Sequence, residues 1–296
     1  MTIRQAISWA RDHLGKTSSS PGLDAQMLLG EILGCGFAFL LAHDDQDLSE
    51  SQEQNYRKWI AERRQGKPVS YLLGKKEFYD LEFEVREGVL VPRPDTEILV
   101  EMVLDYLNDE WGVFNVQKKS KIKLVDVGVG SGCIPISILK KQPDLEAVGL
   151  ELSSEALKIA RKNAKKLGMD DRLELIQSDL LEKLPDNVVG GKAWILVANL
   201  PYIPQHWPKH FSTQFEPNVA LFGGREGVEL YYRLAVEIEK LQHKPIALFF
   251  EGFEFQISKI EMVFPSYELV EVKKMTGEAC GLRFELKKDD SFCSSA

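Results

Sequence analysis

From Lys121 onward the sequence alternates short apolar runs with helical stretches, and this alternation restricts the chain's folds more than any other feature. The runs 122–127, 147–150, 173–177, 194–198 and 246–250 read as strands. Stretches such as 154–167 and 226–240 read as the helices between them. Repeated strand–helix units predict an α/β fold with a doubly wound, mostly parallel sheet and helices on both faces. The tail departs from the pattern. Residues 267–273 and 282–287 read as two strands joined closely, hence as an antiparallel C-terminal hairpin.

Residues 1 to about 74 read as a small helical bundle. Ile3, Ile7, Ala10 and Leu14 recur at helical spacing until Ser18-Ser19-Ser20-Pro21-Gly22 breaks it. A second helix runs from Asp24 to a stop near Gly34, and a third opens at Ser49 with Gln52 as its capping-box partner. Arg57, Lys58, Arg63, Arg64, Lys67, Lys75 and Lys76 gather near its end, as either a solvated face or a partner-docking surface. Residues 78–91 alternate apolar and charged side chains, with Glu87-Gly88 before a second apolar run, which predicts a β-hairpin joining two domains. The expected division is a helical domain over 1–74, a hairpin linker over 75–95 and an α/β domain over 96–296.

Length and charge narrow the function. A chain of 296 residues suits two domains. A formal net charge of -8 disfavours tight binding to bare nucleic acid, which depends on neutralising phosphates. The four cysteines (Cys35, Cys133, Cys280 and Cys293) form no CxxC pair, so neither a metal site nor a disulfide framework is expected. The first thirty residues lack a signal-peptide apolar core, and no apolar run approaches the ~20 residues needed to span a bilayer. The expectation is a cytoplasmic protein with no membrane partner.

The first strand ends in Asp126-Val127-Gly128-Val129-Gly130-Ser131-Gly132, just before a helical run. Three glycines let the backbone turn sharply and approach a ligand at the strand mouth. The dinucleotide fingerprint would place its third Gly at 133, where Cys133 stands. An acid two places before the first Gly favours a cationic ligand over a pyrophosphate, and S-adenosylmethionine carries both an ammonium and a sulfonium. Glu151 ends the second strand, placed for ribose hydroxyls; Asp179 ends the third, placed for an adenine amino group, with Leu180 as a floor for the ring. Each acid alone reads as a helix cap or a solvated charge. Three in order at successive strand ends read as a nucleoside site.

The fourth strand ends in Asn199-Leu200-Pro201-Tyr202. A planar NH2 group is a weak nucleophile because its lone pair is delocalised. Two acceptors, the Asn199 side-chain oxygen and the Leu200 carbonyl, would bind its hydrogens and aim the lone pair at a methyl donor. Pro201 would stiffen the carbonyl, and Tyr202 would pack on the planar group. Asn199 borders the cofactor as well. In isolation the tetrapeptide reads equally as an Asn turn beside a buried Tyr.

With these residues assembled, the chain resembles the glutamine-N5 methyltransferases of peptide-chain release factors, the PrmC/HemK family. The most specific stretch is Arg63-Arg64-Gln65-Gly66-Lys67-Pro68, with Gly74, Glu77-Phe78 and Pro92-Arg93-Pro94-Asp95-Thr96-Glu97; Phe215-Glu216-Pro217 matches as well. The resemblance implies a class I, Rossmann-like methyltransferase domain using S-adenosyl-L-methionine and releasing S-adenosyl-L-homocysteine. It implies that Gly128, Val129, Gly130, Ser131 and Gly132 hold the methionine part, Glu151 the ribose, and Asp179 with Leu180 the adenine. Asn199, Leu200, Pro201 and Tyr202 would hold the glutamine of a Gly-Gly-Gln loop, and the helical domain would help dock the release factor. The family's usual tetrapeptide is Asn-Pro-Pro-Tyr, so Leu200 departs from it and gives the loop freedom. Met275-Thr276-Gly277 departs where the family often has an acid. Two alternatives remain at this stage: N6-adenine methylation of RNA or DNA, which uses the same acceptor geometry, and a non-catalytic release-factor or ribosome-binding module.

Overall fold

The computed structural model describes residues 1–109, 122–189, 193–274 and 278–287, which leaves the Met275-Thr276-Gly277 departure outside the described residues. The chain divides into two compact units. One comprises Met1–Lys76, Val85–Glu87 and Pro208–Pro217, and the other the rest of the chain.

The first unit is helical, with helices over Ile3–Leu14, Pro21–Leu33, Phe37–Ala42, Glu50–Arg64 and Val69–Leu73. Its sequence explains its ends. Ser49 accepts from the Gln52 N–H while the Gln52 side chain accepts from the Ser49 N–H, closing the expected capping box. Gly34 and Gly74 stop their helices in the left-handed region. Ile3, Ala10, Leu14, Leu28, Tyr56 and Ile60 share one core, where the Tyr56 hydroxyl donates to the Ala25 carbonyl at 2.9 Å.

Part of the basic cluster is paired within this unit, and Arg63 is its most buried member. Arg63 donates to Asp24 at 2.8 Å with both side chains about nine-tenths buried, and Ser18 and Ser20 donate to the same carboxylate. Lys67 pairs with Glu62 and Glu87, Lys75 with Glu31, and Arg57 with Glu53. Arg63 is therefore a folding residue rather than a docking charge. Arg63→Glu sets two carboxylates together out of water and should lower the unit's stability by about 3–5 kcal/mol. Urea unfolding followed by tryptophan fluorescence measures it; a change below about 0.5 kcal/mol would return Arg63 to the solvated surface.

Strands β1 (Lys75–Phe78) and β2 (Leu81–Glu84) form a two-stranded sheet. Its turn is Tyr79-Asp80, both at positive φ, rather than the Glu87-Gly88 expected from the sequence. Two consecutive left-handed residues match the twist of a tight hairpin. They also set Phe78 edge-on to Phe83, with ring centres 6.1 Å apart.

The second unit contains β3 (Lys123–Val127), β4 (Glu146–Glu151), β5 (Leu173–Gln177), β6 (Trp194–Ala198), β7 (Ala247–Phe253), β8 (Tyr267–Lys274) and β9 (Ala279–Leu286). They form one sheet in the order β5-β4-β3-β6-β7-β9-β8. The first five run parallel, and β9 runs antiparallel to both β7 and β8, so the mostly parallel sheet with an antiparallel C-terminal hairpin is as expected. Every residue of β6 is buried, as continuous apolar strands covered on both faces must be, while edge strand β8, after the buried Tyr267, alternates half-buried and exposed positions. The chain crosses from β5 back past β3 to β6, so β3 and β6 flank the switch point where such sheets bind ligands. Among the described residues no helix is long and apolar enough to cross a membrane.

Candidate active site

Parallel register aligns the carboxyl ends of five strands. Val127 lies beside Leu150, Glu151 beside Gln177, Asp126 beside Val197, and Ala198 beside Phe250. The glycine loop, Glu151, Asp179, Asn199 and Glu251 therefore follow one edge of the sheet.

The loop after β3 turns through Gly128 (φ 82°), Gly130 (φ 56°) and Gly132 (φ 84°), conformations that side chains resist. Gly132 also leads into the helix Cys133–Lys141. Val129 turns its side chain inward against Leu157 and Ala160 and so offers a ligand main chain only. Ser131 is buried, and its carbonyl accepts from Asn163 Nδ2 at 2.9 Å. The fully buried Asn163 also exchanges hydrogen bonds with the Glu84 N–H and C=O, tying this loop to β2.

Glu151 accepts the Gly130 N–H and the Ser153 N–H, each at 2.9 Å, one on each carboxylate oxygen. Burial raises its pKa above the ordinary carboxylate range, against the lowering effect of those donors. Asp126 is fully enclosed beneath the loop, and among the described residues neither of its oxygens has a hydrogen-bond partner. Burial, and then the charge of Glu151, raise its pKa well above that of an exposed aspartate. Asp179 pairs with Arg233 at 2.8 Å, and beside it Leu180 is buried with φ 45°.

At the end of β6, Asn199 Nδ2 donates to Thr96 Oγ1 and to Glu251 Oε2, both at 3.0 Å. Thr96 Oγ1 donates to the same Glu251 oxygen at 2.8 Å, and the Tyr202 hydroxyl donates to Glu251 Oε1 at 2.7 Å. Among the described residues nothing donates to Asn199 Oδ1, and that oxygen is not enclosed. The side chain thus keeps its hydrogens inward and leaves its acceptor free. Burial raises the pKa of the Tyr202 phenol, followed by the charge and hydrogen bond of Glu251, so it stays a donor.

Leu200 does not gain the freedom expected for a residue standing where the resembled family has proline. It is 3% exposed, and a Cβ on Gly128 would lie 3.5 Å from its Cδ2, so the two loops pack together. A strap over 221–227 holds the following residues. Ile203 N–H donates to Leu221, Gly223 N–H to Ile203, and Gln205 N–H to Gly224. The buried Gln256 donates to the carbonyls of Tyr202 and Glu226.

The structure brings the sequence-predicted residues to one sheet edge and adds Glu251, Gln256 and the glycine strap, which sequence reasoning missed; Thr96 belongs to the segment 92–97 that the resemblance sets near the cofactor, and its hydrogen bonds are what the structure adds. Glu251 did leave a signal: it is the one charged residue in the buried run of β7, where a carboxylate needs a compensating purpose. Among the described residues no cluster of three or more His, Cys, Asp or Glu is arranged to hold a metal.

A family model described as PrmC N-terminal domain matches residues 5–74, and one described as Methyltransferase small domain matches 113–204. The chain is 34% identical over 242 residues to the release factor glutamine methyltransferase of Koribacter versatilis, covering 80% of this chain and 81% of that one. It is 35% identical over 238 residues to the enzyme of the same name from Rhodopirellula baltica, covering 79% and 77% respectively. The bifunctional methyltransferase of Rickettsia conorii is 32% identical over 79% of this chain, which spans 48% of that longer protein. Among solved structures, the hMettl16 catalytic domain in complex with MAT2A 3′UTR hairpin 1 superposes with a TM-score of 0.55 at 11% identity, covering 82% of each chain, which shows a shared fold alone.

Proposed function

The chain belongs to the release factor glutamine methyltransferase family, and on that premise we propose that it methylates the side-chain amide nitrogen of the glutamine in a release factor's Gly-Gly-Gln loop. The observation that carries this reading is the presentation of Asn199: its NH2 is engaged by Thr96 and Glu251, and its oxygen is left open, with the Leu200 carbonyl the next main-chain acceptor along the chain. Two such acceptors take the two hydrogens of a planar amide and leave its lone pair normal to the plane they define. Tyr202 covers one face of the acceptor group, and its hydroxyl is already committed to Glu251.

S-adenosylmethionine supplies an electrophilic methyl on a sulfonium, so no acid or metal is required to activate the leaving group. With the cofactor bound, the two acceptors would stabilise the positive charge that grows on the substrate nitrogen during methyl transfer, and the surplus proton would pass from that nitrogen to solvent. The cofactor fits the residues present. Gly128 to Gly132 offer main-chain groups, Glu151 retains acceptor capacity beyond its two N–H bonds, and Asp179 with Leu180 stands at the next strand end. Asp126 is a buried carboxyl that, among the described residues, has no hydrogen-bond partner, and once ionised it acts on a bound cation through its field. Release-factor docking falls to the helical unit, where Leu23, Met27, Phe37 and Leu41 are exposed.

Cofactor binding should therefore release protons. The enclosed Asp126 has a raised pKa in the free protein, and a cation nearby lowers it. Between the two values affinity rises with pH; above the free protein's value it levels off. Calorimetry in buffers of different ionisation enthalpy measures the release, which should vanish in Asp126→Asn.

The activity is tested by incubating the protein with methyl-labelled cofactor and, separately, a release factor, rRNA and DNA. Label on the Gly-Gly-Gln glutamine, located by mass spectrometry, is the expected result. Label on an adenine, or on nothing, contradicts it.

A further inference from the structure

The amide of Asn199 has two faces of opposite polarity, and catalysis of this kind tolerates one orientation. With the NH2 turned toward the acceptor nitrogen, donor would face donor, and the lone pair would be drawn toward the enzyme instead of the methyl. We infer that Glu251 is the positioning residue that fixes this orientation, acting with Thr96 as its relay. The inference rests on the reading of the site as one that holds a planar NH2 group.

The geometry permits one assignment of hydrogens. Glu251 is 2% exposed, and three donors converge on its carboxylate: Tyr202 on Oε1, and Thr96 with Asn199 on Oε2. A carboxylate accepts only, so the Asn199 group facing it has to be NH2. Thr96 enforces the same choice, because its single hydrogen goes to Glu251 and leaves a lone pair toward Asn199. The Tyr231 hydroxyl donates to the Glu251 main-chain oxygen and so holds that strand end in place.

The arrangement is sensitive to protonation. Burial raises the pKa of Glu251, the nearby charge of Asp95 adds to that, and the hydrogen bonds from Tyr202, Thr96 and Asn199 oppose it. Below this raised value the group carries a hydrogen of its own, one acceptor is lost, and the Asn199 amide is free to turn. Turnover should fall as pH drops through that value, above the range of an exposed glutamate.

The test is a polarity swap. Glu251→Gln keeps an oxygen toward Tyr202 and puts an NH2 toward Asn199, which inverts the Asn199 amide. Turnover should fall by about 10²-fold or more with cofactor affinity within about threefold, and the acid limb of the kcat profile should disappear. Adding Asn199→Asp restores complementarity, because Gln donates inward to one aspartate oxygen and the other faces the substrate. The double variant Asn199→Asp/Glu251→Gln should exceed both single variants in kcat by at least about tenfold. Losses that simply multiply would overturn the inference. If the Glu251 variants do not fold by circular dichroism, Thr96→Val decides: a kcat drop of about tenfold with unchanged cofactor affinity supports the relay, and wild-type kcat refutes it. Should the wild-type protein label an adenine and no glutamine, the glutamine reading fails by itself. The swap is then run on that acceptor, whose planar NH2 makes the same demand.

Discussion

Asn199→Ala should lower kcat by about 10³-fold and leave the affinity for S-adenosylmethionine within about threefold. The side-chain oxygen acts on the acceptor nitrogen, and its grip strengthens as that nitrogen gains positive charge, so its removal raises the barrier more than it weakens the ground state. The substitution also leaves Glu251 Oε2 with only the Thr96 hydrogen, so part of the Asn199→Ala loss comes from a loosened carboxylate. Asn199→Asp separates the two contributions. It keeps an outward oxygen but sets a second carboxylate against Glu251, so its kcat should lie above that of Asn199→Ala in alkaline solution no further than charge repulsion permits. Steady-state kinetics with a release factor, together with calorimetry for the cofactor, measures both. Equal loss in turnover and in cofactor affinity would place Asn199 in the cofactor pocket or the fold.

Gly223→Ala should be nearly as damaging, although residue 223 holds no reacting group. A Cβ there would lie 2.0 Å from the Pro201 carbonyl oxygen and 2.9 Å from the Gly227 carbonyl oxygen. Both obstacles are main chain, so no rotamer change relieves them, and the loop carrying the Leu200 carbonyl must shift by an ångström or so. A displacement of that size costs about 10²-fold in a reaction that depends on alignment. Stability should fall by about 1–3 kcal/mol, a typical cost of overpacking. Cofactor affinity should fall less than kcat, since the glycine loop after β3 touches Leu200 but is not part of the strap. A wild-type kcat in Gly223→Ala would mean that the position of the Leu200 carbonyl matters little.

These expectations rest on features of different legibility in the sequence. The glycine loop and the acids at Glu151 and Asp179 were readable because each follows its own strand, and the strand–helix alternation fixed their order along one edge. Asn199 was readable for the same reason. What ties Asn199 down was not: Thr96 and Glu251 meet across 155 positions, and no local pattern links them. The strap over 221–227 escaped notice because glycines in a loop suggest a turn, and only the structure shows a backbone passing within reach of Pro201. Leu200 looked like a source of freedom because sequence shows the missing proline but not the packing against Gly128. Arg63 was ambiguous because a charge on a helix does not announce its partner, and Asp24 lies 39 positions away. The hairpin turn was misplaced because Gly88 is the usual signal for positive φ, whereas Tyr79 and Asp80 adopt it here beside the Phe78–Phe83 contact.

The most direct measurement is a crystal structure of the protein with S-adenosylhomocysteine and a peptide containing Gly-Gly-Gln. The glutamine nitrogen is expected about 2.9 Å from both Asn199 Oδ1 and the Leu200 carbonyl oxygen, with its amide plane facing the cofactor sulfur. A glutamine bound through its oxygen to an Asn199 NH2, or seated away from the sulfur, would contradict it.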